Sequence, residues 1–219
     1  LEAFTRSHSS LSTHSYLRLS YDIMRRRDSL LSENTGWRHY PVSLEASWNG
    51  KRTDLKISFR VTYSSACPCS AALSRQTLKE RFEEDFSDHQ AISLSHVANW
   101  LQTREATSSV PHSQRSHADL TVVAEKADER LLEELIDQVE ETLGTAVQAA
   151  VKREDEQEFA ALNGANLMFC EDAARRICSL LEEDKGFRDY RIEVRHMESL
   201  HPHDAVAITT KGVEGGLRP

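Results

Sequence analysis

The chain has no apolar run near the roughly 20 residues that a membrane-spanning helix needs, and its opening, Leu1 to Ser10, lacks the apolar centre of a secretory signal. A soluble protein with a cytoplasmic address is the expectation. The first residue is Leu1 rather than a methionine, so residues ahead of it are expected to be missing. A basic excess is also lacking. The formal charge is −8 at pH 7, which argues against general nucleic-acid binding, because that draws most of its affinity from basic surface. An anionic substrate would need a local basic pocket. Cysteine is scarce, with four in 219 residues. Cys170 and Cys178 fall in one expected helix, about 12 Å apart along its axis at about 1.5 Å per residue, too far for a disulfide. They read as buried apolar fillers. Cys67 and Cys69, separated by Pro68 alone, can close only a small strained ring. That leaves metal ligation, nucleophilic or redox chemistry, or no chemistry at all. No phosphate-cradling glycine loop is present, and the Cys and His spacings are not those of a zinc finger or ribbon.

What is present is enough apolar residue, 39%, for one sizeable core or two small fused ones. Residues 15–36 suit a helix or a strand equally. From Tyr40 two extended runs meet at Asn49-Gly50, a pair that favours a type I′ hairpin turn because both central residues need positive φ. Leu55, Ile57, Phe59, Val61 and Tyr63 alternate without a break, which makes a half-buried strand that delivers Cys67 at its end. Residues 71 to about 103 carry three-and-four apolar spacing and read as helical; the stretch from Ala106 to Val110 reads as a loop. The stretch from Pro111 begins as a turn and becomes a strand with Leu120, Val122 and Ala124 in phase. Asp128 to Gly144 is an amphipathic helix with a stripe of Leu132, Leu135, Ile136, Val139 and Leu143, acids in its first turn and Gly144 as its stop. A polar segment, Lys152 to Gly164, precedes a second such helix striped by Leu167, Cys170, Ala174, Ile177 and Leu181 and ended by Gly186. Two strands around a His-rich corner finish the chain. Helices do not alternate singly with strands, so the class is α+β with an antiparallel sheet.

Chemistry gathers where strands end. Cys67 and Cys69 follow one strand, His112 and His117 precede another, and Glu198, His201 and His203 occupy the last corner. Thiolate, imidazole and carboxylate together suit Zn²⁺, or Mn²⁺ or Fe²⁺ with more oxygen ligation, with three protein ligands and an open position for water. Each piece also has a plainer reading. His8, His14, His39 and His89 read as surface residues, His112 as either ligand or loop residue, and the His201 to Asp204 corner as either functional or a solvated turn. The acids of residues 152–158 read as a solvated face. Glu171 is either a helix-dipole partner or a buried acceptor for a ligand's N–H groups.

Five ordered motifs, SACPCS, PHSQRSH, VKREDE, FCEDAARR and MESLHPHDA, resemble the prokaryotic type IB GTP cyclohydrolase I family, from about Trp37 to Thr210. One departure is the largely helical stretch of about 40 residues between the Cys-Pro-Cys turn and the His motif, where shorter members pass almost directly; it is expected to be a surface insertion that leaves both ends in place. The resemblance implies a tunnelling fold, two fused ββααββ-type halves with helices on one face of the sheet. One bimodular enzyme over 1–219 is expected, with a first half at 1–110 carrying the insertion at about 71–108 and a second half at 111–219. It further implies a homotetramer with active sites at subunit interfaces. The implied reaction is hydrolysis of GTP to 7,8-dihydroneopterin triphosphate and formate, feeding synthesis of folate and of modified tRNA nucleosides.

Carried over by position, the family places one divalent metal on Cys67, His112 and Glu156, with Glu154, Asp155 and Glu158 close enough to exchange with Glu156. Such a cation lowers the pKa of water so that hydroxide can attack C8. Cys69 resembles the thiol that faces the purine, and Pro68 sets the turn so that the two sulfurs serve different partners. Glu171 matches the acid that accepts from guanine N1–H and the 2-amino group, a pair that adenine lacks. Glu198 and His201 match acid/base groups near the ribose, with His203 supporting them. Arg115, Lys152 and Arg153 are either triphosphate contacts or members of surface salt bridges. Two other classes stay open: a tunnelling-fold enzyme acting on a pterin or deazapurine, and a non-catalytic Cys/His metal or redox module.

Overall fold

The computed structural model describes residues 1–125, 130–184 and 186–219. A short helix α1 (Glu2–Ser7) leads into three long strands, β1 (Ser15–Asp28), β2 (Thr35–Trp48) and β3 (Thr53–Ala66). Helices α2 (Pro68–Asp85) and α3 (Leu94–Trp100) and a 3-10 turn (Glu105–Thr107) follow. Next come β4 (Ser113–Ala124), α4 (Leu131–Leu143), α5 (Arg153–Ala165), α6 (Cys170–Glu183), β5 (Phe187–His196) and β6 (Ala205–Thr210). The described strands form one antiparallel sheet in the order β1-β2-β3-β4-β5-β6. The α+β class is as read from the sequence.

Strand alternation gives the sheet two unlike faces. One face presents Ile57, Phe59, Val61 and Tyr63 of β3, Ala118, Leu120 and Val122 of β4, and Ile192 and Val194 of β5, all buried. Helices α4 and α6 cover it, and the expected stripe of α4 is buried in full. Each such Leu, Ile or Val contributes about 1.5–3 kcal/mol by leaving water. Gly144 ends α4 at φ 75°, the left-handed position that glycine takes without steric penalty. On α6, Cys170, Ala174, Ile177 and Leu181 are buried as expected, whereas Leu167 precedes the helix. The acids expected to open α4 at Asp128 and Glu129 lie outside the described residues; Glu133 and Glu134 occupy its first turn. The opposite face is laced by charge: Arg60 is bidentate to Asp119 at 2.7 and 2.9 Å, and Arg191 and Arg195 both bind Glu193 at 2.8 Å.

Three local readings resolve differently from expectation. Residues 16–28, open between helix and strand, are strand, paired with β2 along their whole length. The hairpin after Trp48 is not a two-residue type I′ turn: Trp48 pairs with Thr53, and only Gly50 has positive φ. The Asn49 side chain accepts from the N–H groups of Lys51 and Arg52 at 3.0 Å, and that local bond favours a four-residue loop. Residues 153–165, read as a polar segment, form α5. Their one buried residue is Asp155, whose carboxylate caps the helix by accepting from Lys152 N–H at 2.8 Å.

Asp155 also ties the β1–β2 ribbon down. It accepts from the N–H groups of Leu31 and Ser32 at 2.8 and 2.9 Å and from the Ser32 hydroxyl at 2.5 Å. Burial alone would raise this carboxyl, but its hydrogen bonds to Lys152, Ser32 and Leu31 outweigh that and hold it well below the usual carboxylate range. Close approach does the rest: a Cβ on Gly36 would lie 2.7 Å from Ala149 Cβ. The ribbon leaves β3 beyond the Val42–Phe59 pair, and the segment after α4 takes its place beside β3, with Ser64 N–H donating to Thr145 O at 2.9 Å and Val147 N–H to Thr62 O at 3.2 Å.

Residues 68–111 leave and rejoin the sheet at one point. Cys67 N–H donates to His112 O at 3.3 Å, His112 N–H to Ser70 Oγ at 3.0 Å, and Ser109 Oγ to Ser74 Oγ at 3.2 Å. The excursion has its own aromatic cluster. Phe82 packs on Phe86 and Trp100 at 4.7 and 5.2 Å between centroids, and Trp100 Nε1 donates to Asp85 at 2.9 Å.

Candidate active site

Cys67 is the residue before α2, and Pro68 occupies the first helical position, where its fixed φ suits the helix and its missing N–H costs nothing. Cys69 therefore lies in the first turn and is exposed, while Cys67 is half-buried; both are free thiols. Across the gap, Cys67 meets His112 through the backbone bond already described. The third strand end joins them: His112 Nε2 stands 3.9 Å from Glu198 Oε2, and Glu198 Oε1 accepts from Gln114 Nε2 at 3.3 Å. His112 Nε2, Gln114 Oε1 and Glu198 Oε2 are all buried and have no hydrogen-bond partner. Buried polar atoms are normally paired, because an unpaired one costs about 1–3 kcal/mol. Three in one place mark a site shaped for something else to bind.

Behind this point the helix-covered face turns polar. Tyr63, Ser116 and His196 stand side by side across β3, β4 and β5. The Tyr63 hydroxyl reaches His196 Nε2 at 2.8 Å, and the Ser65 and Ser116 hydroxyls bond at 2.8 Å. Burial pushes His196 down to about 4, against an opposing pull from Glu171 and Asp172, so the ring is neutral near pH 7. Burial likewise raises the Tyr63 phenol well above its ordinary value. Neither residue was singled out from sequence. Gln114 also escaped notice, although it shares the phase of Ser116, Ala118 and Leu120 and so had to face the core.

Other candidates lie further out. Glu171 is exposed at the start of α6, with one oxygen accepting from Cys170 Sγ at 3.3 Å; burial and then that carboxylate raise the Cys170 thiol to about 12. Glu156 is exposed in the first turn of α5. It lines a cleft of about 600 Å³ together with Ala66, Pro111 and Ser113, the residues that border Cys67 and His112. Among the described residues, no three His, Cys, Asp or Glu side chains gather into a metal-holding group. Cys67 and His112 are neighbours through their backbones, and Glu156 lines the cleft that the residues beside them border. His201 and His203 are exposed and stack on each other at 5.2 Å. Arg115 projects to the other face of β4, where it lines a cleft of about 380 Å³ with Arg38, Arg60 and His117. His117 is lowered there, first by burial and then by Arg60.

Fold and site together define an α+β protein with a polar centre at its strand ends that combines thiol, imidazole and carboxylate. The chain belongs to the type I GTP cyclohydrolase folE2 family, whose model matches residues 1–207. It is 49% identical over 216 residues to GTP cyclohydrolase FolE2 of Hydrogenovibrio crunogenus, covering 99% of this chain and 69% of that one. Against the protein of the same name from Pseudoalteromonas translucida the identity is 47%, covering 100% and 72%. Among solved structures, uricase from Arthrobacter globiformis is similar with a TM-score of 0.51 at 6% identity, covering 100% of this chain and 69% of that one. That likeness is one of fold alone. No helix among the described residues is long and apolar enough to cross a membrane.

Proposed function

We propose that this protein hydrolyses GTP to 7,8-dihydroneopterin triphosphate and formate as a type IB GTP cyclohydrolase. The observation that carries the reading is the convergence of Cys67, His112 and Glu198 at the ends of β3, β4 and β5, with His112 Nε2 and Glu198 Oε2 buried and unpartnered. Nearly 50% identity to proteins named for this reaction supports it.

A buried imidazole nitrogen without a partner, on a residue whose backbone is hydrogen-bonded to that of a free cysteine, suits a borderline divalent cation such as Zn²⁺, Mn²⁺ or Fe²⁺. Cys67 and His112 would hold it, with Glu156 as the third ligand from the shared cleft. When bound, the cation supplies Lewis acidity at the purine carbon that becomes formate. The side chains divide the remaining work. Cys69, one residue into α2 and exposed, faces the purine. Glu171 accepts from the guanine N1–H and 2-amino groups, and adenine would leave those oxygens unpaired. Glu198 and His201 move protons at the ribose while the sugar opens and rearranges, with His203 stacked behind His201. Arg115, which lies on the other face of β4, would serve the triphosphate of a site completed by a neighbouring subunit.

In the same reading the chain is a tunnelling fold of two fused halves, 1–110 and 111–219, with residues 71–108 inserted in the first. It assembles as a cytoplasmic homotetramer that completes its sites at subunit interfaces, which is where Glu156 and Glu171, exposed in one chain, become enclosed.

The test is formate release and pterin fluorescence from metal-stripped protein given GTP and then Mn²⁺, Zn²⁺ or Fe²⁺. Both products should appear only with metal; their absence with every metal would end the GTP assignment. Cys67→Ala should lose bound metal, whereas Cys69→Ala should keep metal and lose turnover.

A further inference from the structure

We infer that Gln114 is a positioning residue for Glu198, a role that rests on the acid/base reading of Glu198 given above. Gln114 is 8% exposed and pairs with Ser65 of β3. On its other side, Met197 N–H donates to Arg115 O at 3.2 Å, which carries the β4–β5 register past Ser116–His196 and sets Glu198 beside Gln114. The amide orientation follows from chemistry. A carboxylate only accepts, so the nitrogen of Gln114 must face Glu198, and the amide oxygen must face away.

The result is a carboxylate with one oxygen held and one free. Oε1 is fixed by the 3.3 Å bond from Gln114. Oε2 is left buried, unpartnered and 3.9 Å from His112 Nε2, too long for a hydrogen bond. Gln114 thus selects one rotamer of Glu198 and one lone-pair direction for proton transfer, and its own unpaired Oε1 adds an acceptor to the same space. A glutamine kept only for packing would not leave its oxygen orphaned at a cost of about 1–3 kcal/mol.

Gln114→Met keeps the length and removes the donor. The expected result is a folded protein with a melting temperature lowered by no more than about 2–4 °C, zinc affinity within threefold of wild type by chelator competition, KM for GTP within twofold and kcat lowered by roughly 10- to 100-fold. In a Glu198→Gln background the same substitution should cost no further kcat, because the residue acts only through Glu198. Gln114→Leu, run beside it, decides the matter if the methionine variant does not fold. An unchanged kcat overturns the inference, and so does a kcat that falls in step with zinc affinity, which would make Gln114 a ligand. If wild-type protein releases no formate from GTP, the functional reading fails by itself. The positioning claim is then judged from crystal structures, where Glu198 must leave its place in Gln114→Met and an unmoved carboxylate overturns it.

Discussion

Strands β4 and β5 and the edge strand β1 follow the same alternating pattern with opposite outcomes. In β4 and β5 the inward residues Ala118, Val122, Ile192 and Val194 are fully buried, because α4 and α6 lie across them. In β1 the residues of the same phase, Leu17, Leu19 and Tyr21, are 38%, 48% and 44% exposed. The helices that follow β3 turn to each other around Phe82, Phe86 and Trp100 instead. Alternation decides which side of a strand is apolar; only a covering layer turns that side into core.

The sharpest test sets Ile136→Ala, in the fully buried stripe, against Leu19→Ala. The first should cost about 2–5 kcal/mol in denaturant unfolding and the second about 0.5 kcal/mol. Equal costs would break the contrast and mean that a second molecule covers β1. Next in size is a pH effect confined to the covered half. His196 is depressed from 6.5 to about 4 by burial. As pH falls from about 6.5 to 4 the unfolded chain takes up a proton that the folded chain refuses, so the contribution of His196 to stability drops by on the order of 3 kcal/mol and changes no further below that. His196→Leu should remove that part of the slope, most visibly between about pH 6.5 and 5, in a urea series across pH. The ribbon's attachment comes third. Glu140 accepts from Tyr40 at 2.6 Å and Arg38 at 2.8 Å and pairs with Arg27 at 3.1 Å, and Glu140→Gln should cost about 2 kcal/mol. Smallest is Trp100→Phe, which keeps an aromatic ring in the cluster and removes the bond to Asp85 and some buried volume. It should cost about 1 kcal/mol and leave zinc affinity unchanged.

Much of the fold was legible because period and burial coincide. The stripe of α4 and the alternation of β3 each name their own element and face. Residues 16–28 were ambiguous because their apolar side is half exposed and two arginines, Arg25 and Arg27, interrupt it; pairing with β2 settles them. α5 was hidden for a related reason: its buried residue is a carboxylate, and burial by capping leaves no apolar period. The site was legible to the extent that strand ends converge, which places Cys67, His112 and Glu198 together. Gln114 and the Tyr63–His196 pair were missed because a polar residue in core phase looks like a break in a pattern, and only its partners show that it belongs to a layer.

The clasp formed by Cys67, Ser70, Ser74, Ser109 and His112 makes the helical excursion a module with a socket. Chain that leaves and returns at one place imposes no direction on what lies between, and closing a longer or shorter loop changes the entropy cost only slowly with length. The stretch beyond Ser74 and before Ser109 can therefore be shortened, or exchanged for a foreign domain with adjacent termini, while β3 and β4 keep their register. A reporter grafted there would ride within a few residues of both free thiols of the turn without interrupting the sheet that carries them.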